Sequence, residues 1–125
     1  MDKKTLEERL IGFAVLIVEI TGTMPETRAA NHLAGQLLRS GTSPALNYGE
    51  AQSGESRKDF IHKIQIVLKE LRESHVCLRI IHQTNQYTSK EKIDKAISEC
   101  NELISIFVKS VATARRNDEQ KVQTS

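Results

Sequence analysis

The sequence predicts an all-α fold, an antiparallel up-down-up-down four-helix bundle, and three observations carry that expectation. Four segments place apolar residues at steps of three and four, the period of a helix with one buried face. Aromatic residues are only 4% of the chain and Trp is absent, so the core must be built from aliphatic side chains, which suits close helix packing. Two prolines and six glycines supply few of the turns that a many-stranded β protein needs.

The first helix is expected from about Thr5 to Thr21, with Leu6, Leu10, Phe13, Ala14, Ile17 and Ile20 on one face. Gly22 stands where a C-terminal cap belongs. The run Ile11 to Val18 is apolar throughout and follows Lys3 and Lys4. It is too short for the ~20 residues of a membrane span. Glu7, Glu8 and Glu19 bracket it, and no small-residue cleavage site follows, so it reads as a buried helix rather than a signal peptide.

The second helix is expected to start near Pro25 or Glu26 and to bury Ala30, Leu33, Ala34, Leu37, Gly41, Ala45, Tyr48 and Ala51. The apolar phase survives across Gly41-Thr42-Ser43-Pro44. That favours one long helix kinked at Pro44; two helices, with Ser43 as cap and Pro44 in the first turn, is the alternative. Gln52-Ser53-Gly54-Glu55 ends the segment.

The third helix is expected from a Ser56 cap to about Gln83, with Phe60, Ile64, Val67, Leu68, Leu71, His75 and Leu78 inside. The fourth opens at Thr88 or Ser89 and runs to about Ala114. Its stripe is Ile93, Ala96, Ile97, Cys100, Leu103, Ile104, Phe107, Val111 and Ala114. Residues 1–114 are thus expected to form the bundle, and residues 115–125 a disordered polar tail.

Helix 3 is apolar on two opposite sides. Ile66, Val76, Cys77 and Ile80 form a second stripe, with Glu73 in its middle. A surface helix of a monomeric bundle carries a polar back, so this outer stripe (Ile66, Glu73, Val76, Cys77, Ile80) is the expected contact between copies of the chain.

Charge is modest, at +2 net. Residues 1–56 carry 5 basic and 7 acidic side chains, net −2; residues 57–125 carry 13 and 9, net +4. The basic residues Lys69, Arg72, Arg79, Arg115 and Arg116 are the candidate contacts for RNA or DNA, while interleaved acids such as Glu70 and Glu99 fit ordinary solvated faces. A polar stripe on helix 2, Gln36, Ser40, Ser43, Asn47 and Glu50, has two readings. It is either a ligand or RNA strip with Arg39 beside it, or a polar seam between helices in which Asn47 and Glu50 find partners such as Arg72.

Enzyme chemistry finds no footing in the sequence. His75 and His82 have no third ligand at helical spacing, and Asp59-x-x-His62 has no partner motif. Cys77 and Cys100 lack a neighbouring His that would activate a thiolate, and the glycines are scattered singly. No catalytic residue, cofactor site or metal site is expected. Two cysteines among apolar residues read as buried free thiols, hence a cytoplasmic protein with no membrane partner.

The segment from Ser40 through Ser43-Pro44-Ala45-Leu46-Asn47-Tyr48-Gly49-Glu50-Ala51 resembles the bacterial four-helix-bundle family of proteins encoded in 23S rRNA intervening sequences. So do Lys58-Asp59-Phe60-Ile61-His62-Lys63, Leu68-Lys69-Glu70-Leu71-Arg72-Glu73-Ser74 and Glu99-Cys100-Asn101-Glu102-Leu103. The resemblance spans roughly residues 5–115. It implies the up-down-up-down bundle and ring-like homopentamers. One branch is similar to accessory proteins of diversity-generating retroelements, which bind nucleic acid and a reverse transcriptase. It implies no catalytic residues. This chain departs from the family pattern at His75-Val76-Cys77-Leu78, where relatives carry an aromatic residue, and at Pro44, where they carry an aliphatic one. The expected function is therefore a homo-oligomeric, nucleic-acid-binding accessory or adaptor protein; the alternative is a structural or protein-interaction oligomer with no nucleic-acid role.

Overall fold

The computed structural model describes residues 1–53 and 56–124, with side chains through residue 120. It contains four helices: α1 (Lys3–Gly22), α2 (Arg28–Gln52), α3 (Arg57–Gln83) and α4 (Lys90–Thr124), with no strand among the described residues. Gly54, Glu55 and Ser125 lie outside the described residues, so the expected end of α2 is seen only as far as its Ser53 cap.

Each helix starts where a short polar side chain satisfies a free backbone N–H. Asp2 accepts from the Thr5 N–H at 2.7 Å, which starts α1 two residues earlier than the apolar pattern suggests and holds the Asp2 carboxyl below its usual range. Thr27 accepts from Ala30 at 3.1 Å, so α2 begins at Arg28 and Pro25 stays in the connection. Ser56 caps α3 through Asp59 as the sequence indicates, and Ser89 accepts from Lys92 ahead of α4. At the C-termini the sequence misleads. Gly22 is the last residue of α1, but no described glycine has a positive φ, so it is not a left-handed cap. The left-handed cap is Asn85 after α3, at φ 56°. The Gln86 N–H reaches the Ile81 carbonyl at 3.1 Å and the Asn85 N–H reaches His82 at 3.3 Å, closing a Schellman motif.

α2 is continuous through Pro44. α4 does not stop at Ala114 but continues to Thr124, which corrects the expected polar tail from Arg115 onward. The reason is local: residues 115–124 contain neither Gly nor Pro and are rich in strong helix formers, so lost amphipathicity ends burial without ending the helix.

The helices follow one another around the bundle: α1 packs on α2, α2 on α3, α3 on α4, and α4 returns to α1. Leu10, Phe13, Ile17, Leu37, Ile64, Leu71, Leu78, Leu103 and Phe107 are fully enclosed at its centre. Tyr48 and Phe107 meet edge-on across the diagonal, ring centroids 5.6 Å apart. Gly41 lets α1 and α2 approach closely: a Cβ there would lie 2.7 Å from Ile17 Cγ1. Ion pairs bridge the helices outside the core. Arg9 pairs with Glu99 and Glu102, Glu19 with Lys92, Arg39 with Glu70 and Glu73, Glu50 with Lys63, and His82 with Asp94.

The apolar run of α1 is not wholly buried. Phe13 and Ile17 are enclosed, whereas Ile11, Val15 and Val18 are 41%, 52% and 51% exposed. A helix apolar all round has more hydrophobic surface than one neighbouring pair of helices can cover.

Candidate functional site on the α2–α3 side

A surface concavity of about 810 Å³ runs between α2 and α3. It draws together residues from all three groups singled out in the sequence: Gln36 and Ser40, Lys69 and Arg72, and Val76 and Ile80.

Its floor is the seam between the helices. Ser40 and Ser74 are buried and their hydroxyls share a hydrogen bond of 3.0 Å, while Ser74 also donates to the Glu70 carbonyl at 2.9 Å. Cys77 Sγ donates to the Leu33 carbonyl at 3.5 Å. The polar stripe of α2 therefore does turn toward α3, but its partners differ from the expected one. Asn47 donates to Ser43 Oγ at 2.8 Å and to the Ser43 carbonyl at 3.0 Å, within its own helix. Glu50 pairs with Lys63 at 2.5 Å, not with Arg72. Gln36 stays exposed on the wall of the concavity.

Arg39 spans the two helices. Its guanidinium holds Glu73 and, at 2.9 Å, the buried Glu70. Those carboxylates, Glu73 first, raise its pKa further above the usual arginine value. Arg39 is thus committed to neutralising acids rather than standing free for phosphate.

That commitment changes the electrostatics of α3. The acids interleaved with its bases in sequence are engaged from α2: Glu73, one turn from Lys69 and in the same concavity as Lys69 and Arg72, is met by Arg39, as is the buried Glu70. Glu70 and Glu73 face Arg39, and Lys63 faces Glu50. The series Lys58, His62, Gln65, Lys69, Arg72, Val76, Arg79 and Gln83 follows steps of four and three, which puts it on one face of the helix, and it contains no acid. All of these are exposed except Gln65, which is half-buried. From Lys58 to Arg79 the strip is ~32 Å long at ~1.5 Å per residue. With the Gln65 amide turned so that its oxygen faces α4, it accepts from Arg115 Nε at 3.0 Å, which joins Arg115 to the strip. Arg116 is exposed beside it on α4. Lys58 and His62 were missed in the sequence, although the same four-three spacing that links Lys69, Arg72 and Arg79 runs back through them.

The outer stripe of α3 is only partly available to a partner. Val76 and Ile80 are 53% and 43% exposed, and Glu73 is exposed. Ile66 is half-buried. Cys77 is buried against α2 and cannot belong to an outward contact, a correction to its expected place. The spacing of α3 alone does not say how far α2 wraps around it.

Both thiols are free and buried. Burial raises the Cys77 pKa, and burial together with Glu99 pushes Cys100 up to about 12, so both are protonated thiols at neutral pH. No group of three or more His, Cys, Asp or Glu side chains that could hold a metal ion occurs among the described residues. No described helix is long and apolar enough to cross a membrane.

Comparison with known proteins agrees with this architecture. A solved protein of unknown function from the S23 ribosomal protein family of Bacteroides thetaiotaomicron superposes with a TM-score of 0.80 at 28% identity, covering 90% of this chain and 99% of that one. No curated protein matches. The family model for the 23S rRNA-intervening sequence protein matches residues 6–109, nearly the whole bundle, and the chain belongs to that family.

Proposed function

We propose that this protein is a non-enzymatic, homo-oligomeric accessory protein that binds RNA or DNA through its phosphates along the exposed face of α3. The observation that carries the reading is the acid-free series from Lys58 to Arg79, extended by Arg115. Phosphate contacts position a nucleic acid without reading its sequence, and a row of cations on one rigid helix suits that task. The surface has few aromatic side chains on which bases could stack, so sequence-independent binding fits best.

The bundle reads as antiparallel, up-down-up-down. In support, Leu33, Arg39 and Glu50 of α2 meet Cys77, Glu70 and Lys63 of α3, partner numbers falling as the others rise. His82, Leu71 and Gln65 meet Asp94, Cys100 and Arg115 in the same way, as do Arg9 and Glu19 with Glu99 and Lys92. Self-assembly is supported by large aliphatic side chains left exposed on two sides of the bundle, and the family resemblance makes a pentameric ring the natural form. Two unpaired thiols suit a reducing cytoplasm.

The test is fluorescence anisotropy with labelled single- and double-stranded RNA and DNA. Binding is expected at 50 mM salt and should weaken about 40-fold by 200 mM if roughly three phosphates are neutralised. The double variant Arg72→Glu, Arg79→Glu should lose most of it. No binding at 50 mM salt would leave the alternative, an interaction oligomer without a nucleic-acid role.

A further inference from the structure

The cationic crest of α3 borders the concavity between α2 and α3, and the chemistry changes from one to the other with the turn of the helix. At ~100° per residue, Val76 lies ~40° round α3 from Arg72, Ile80 a further ~40°, and Cys77, which faces α2, ~60° beyond that. Cations thus stand on the outer edge and aliphatic side chains on the slope toward α2. Val76 and Ile80 are 53% and 43% exposed on that slope. On the α2 wall Leu33 is half-buried, with the His32 ring exposed beside it. The concavity, at about 810 Å³, is within the ~300–1,000 Å³ of small-ligand sites. Its acid, Glu73, is met by Arg39, while Lys69 and Arg72 have no ion pair among the described residues.

We propose that this cleft takes the unstacked bases of a single-stranded nucleic acid whose phosphates lie on the crest. The inference rests on the nucleic-acid reading above and names the form of nucleic acid bound. A nucleotide carries its charge at one end and a flat, weakly polar base at the other. The slope from Arg72 through Val76 to Ile80 has the same order. Cations at the outer edge hold phosphates, and the aliphatic side chains with the His32 ring give splayed bases a surface to pack against. A double helix cannot use the cleft, because its base faces are stacked on one another and freeing one costs unstacking and unpairing. From Lys69 to Ile80 the cleft follows α3 for ~16 Å at ~1.5 Å per residue, room for several bases at ~3.4 Å each. Every base has a flat face, and aliphatic walls do not discriminate among them, which keeps the binding sequence-independent. The Arg39 contact with Glu73 keeps that carboxylate from repelling the strand.

The experiment is fluorescence anisotropy at about 50 mM salt with the full chain and two labelled single strands of equal length. One carries all its bases; the other is abasic, with sugars and phosphates intact. The abasic strand should bind about tenfold more weakly, because it keeps the phosphate contacts and loses the packed bases. Ile80→Ser and Val76→Ser, both at exposed positions and each checked for helicity by circular dichroism, should narrow that gap to about twofold. Equal affinity for the two strands overturns the base cleft and leaves the phosphate reading standing; it is also the outcome if a second copy of the chain fills the cleft. A tenfold gap that both variants leave unchanged overturns the cleft too, because the bases then pack elsewhere. No binding of either strand overturns both readings.

Discussion

The Ser40 and Ser74 hydroxyls share a 3.0 Å hydrogen bond in the closed seam between α2 and α3, at 1% and 0% exposure. Two small polar side chains let the helix backbones approach, and each satisfies the other, so the seam carries no unpaired hydroxyl. Ser74→Ala leaves the Ser40 hydroxyl buried without that partner and should cost about 1–3 kcal/mol. The double variant Ser40→Ala, Ser74→Ala should cost less than the sum of the singles. Urea unfolding of the four proteins measures this; additive losses would show that the hydroxyls act independently.

Gly41 should tolerate no side chain while Ile17 is in place. The Cβ of Gly41→Ala would meet Ile17 Cγ1 and Cγ2 at 2.7 and 2.8 Å, and a β-branched residue on a helix has little rotamer freedom to retreat. We expect a loss of about 1–3 kcal/mol from overpacking. Adding Ile17→Ala should recover part of it, giving a coupling of at least ~0.5 kcal/mol in a double-mutant cycle.

Arg39 and Arg72 should separate stability from binding. Arg39→Ala strands the buried Glu70 and should lower the melting temperature while leaving most nucleic-acid affinity. Arg72, exposed on the cationic strip and without an ion pair among the described residues, should do the reverse when changed to Ala. Thermal melts and anisotropy on the same two preparations decide it.

Cys100 should make the fold alkali-sensitive. Its folded pKa is about 12 against an ordinary 9.0, because burial penalises the thiolate. Below pH 9 the thiol is protonated in both states and its contribution is fully present. Between pH 9 and 12 only the unfolded chain ionises, so stability falls as pH rises, by about 1.4 kcal/mol per unit. The cost of Cys100→Ala, measured by urea unfolding, should therefore shrink by about 1 kcal/mol between pH 9 and pH 10, where the unfolded thiol passes from half to nearly full ionisation, whatever other groups titrate in both proteins.

Much of the fold was legible in the sequence because helix periodicity is a local property. The buried faces of α1 and α4 follow the three-four spacing from Leu6 to Ile20 and from Ile93 to Ala114, and the Ser56 cap sits where its spacing to Asp59 placed it. The boundaries were less legible, because a glycine at the end of α1 does not turn left-handed while an asparagine after α3 does, and only backbone geometry decides that at each helix end. The candidate site was legible as a set of residue types and not as a surface. The sequence marked the bases of α3 and the polar stripe of α2, yet could not say that Arg39, not Arg72, would cross between the helices.

By itself, then, the sequence determined four amphipathic helices, their approximate spans, and a second apolar stripe on the third of them. Those features depend on neighbours within a turn or two, where spacing along the chain equals spacing in space. The tertiary structure alone decided which apolar side chains are left outside. Cys77 was withdrawn beneath α2, Val15 and Leu46 were left uncovered, and the acids Glu70 and Glu73 were engaged by Arg39 of α2. Each of those outcomes depends on how far one helix wraps another, and no periodicity along a single helix carries that distance.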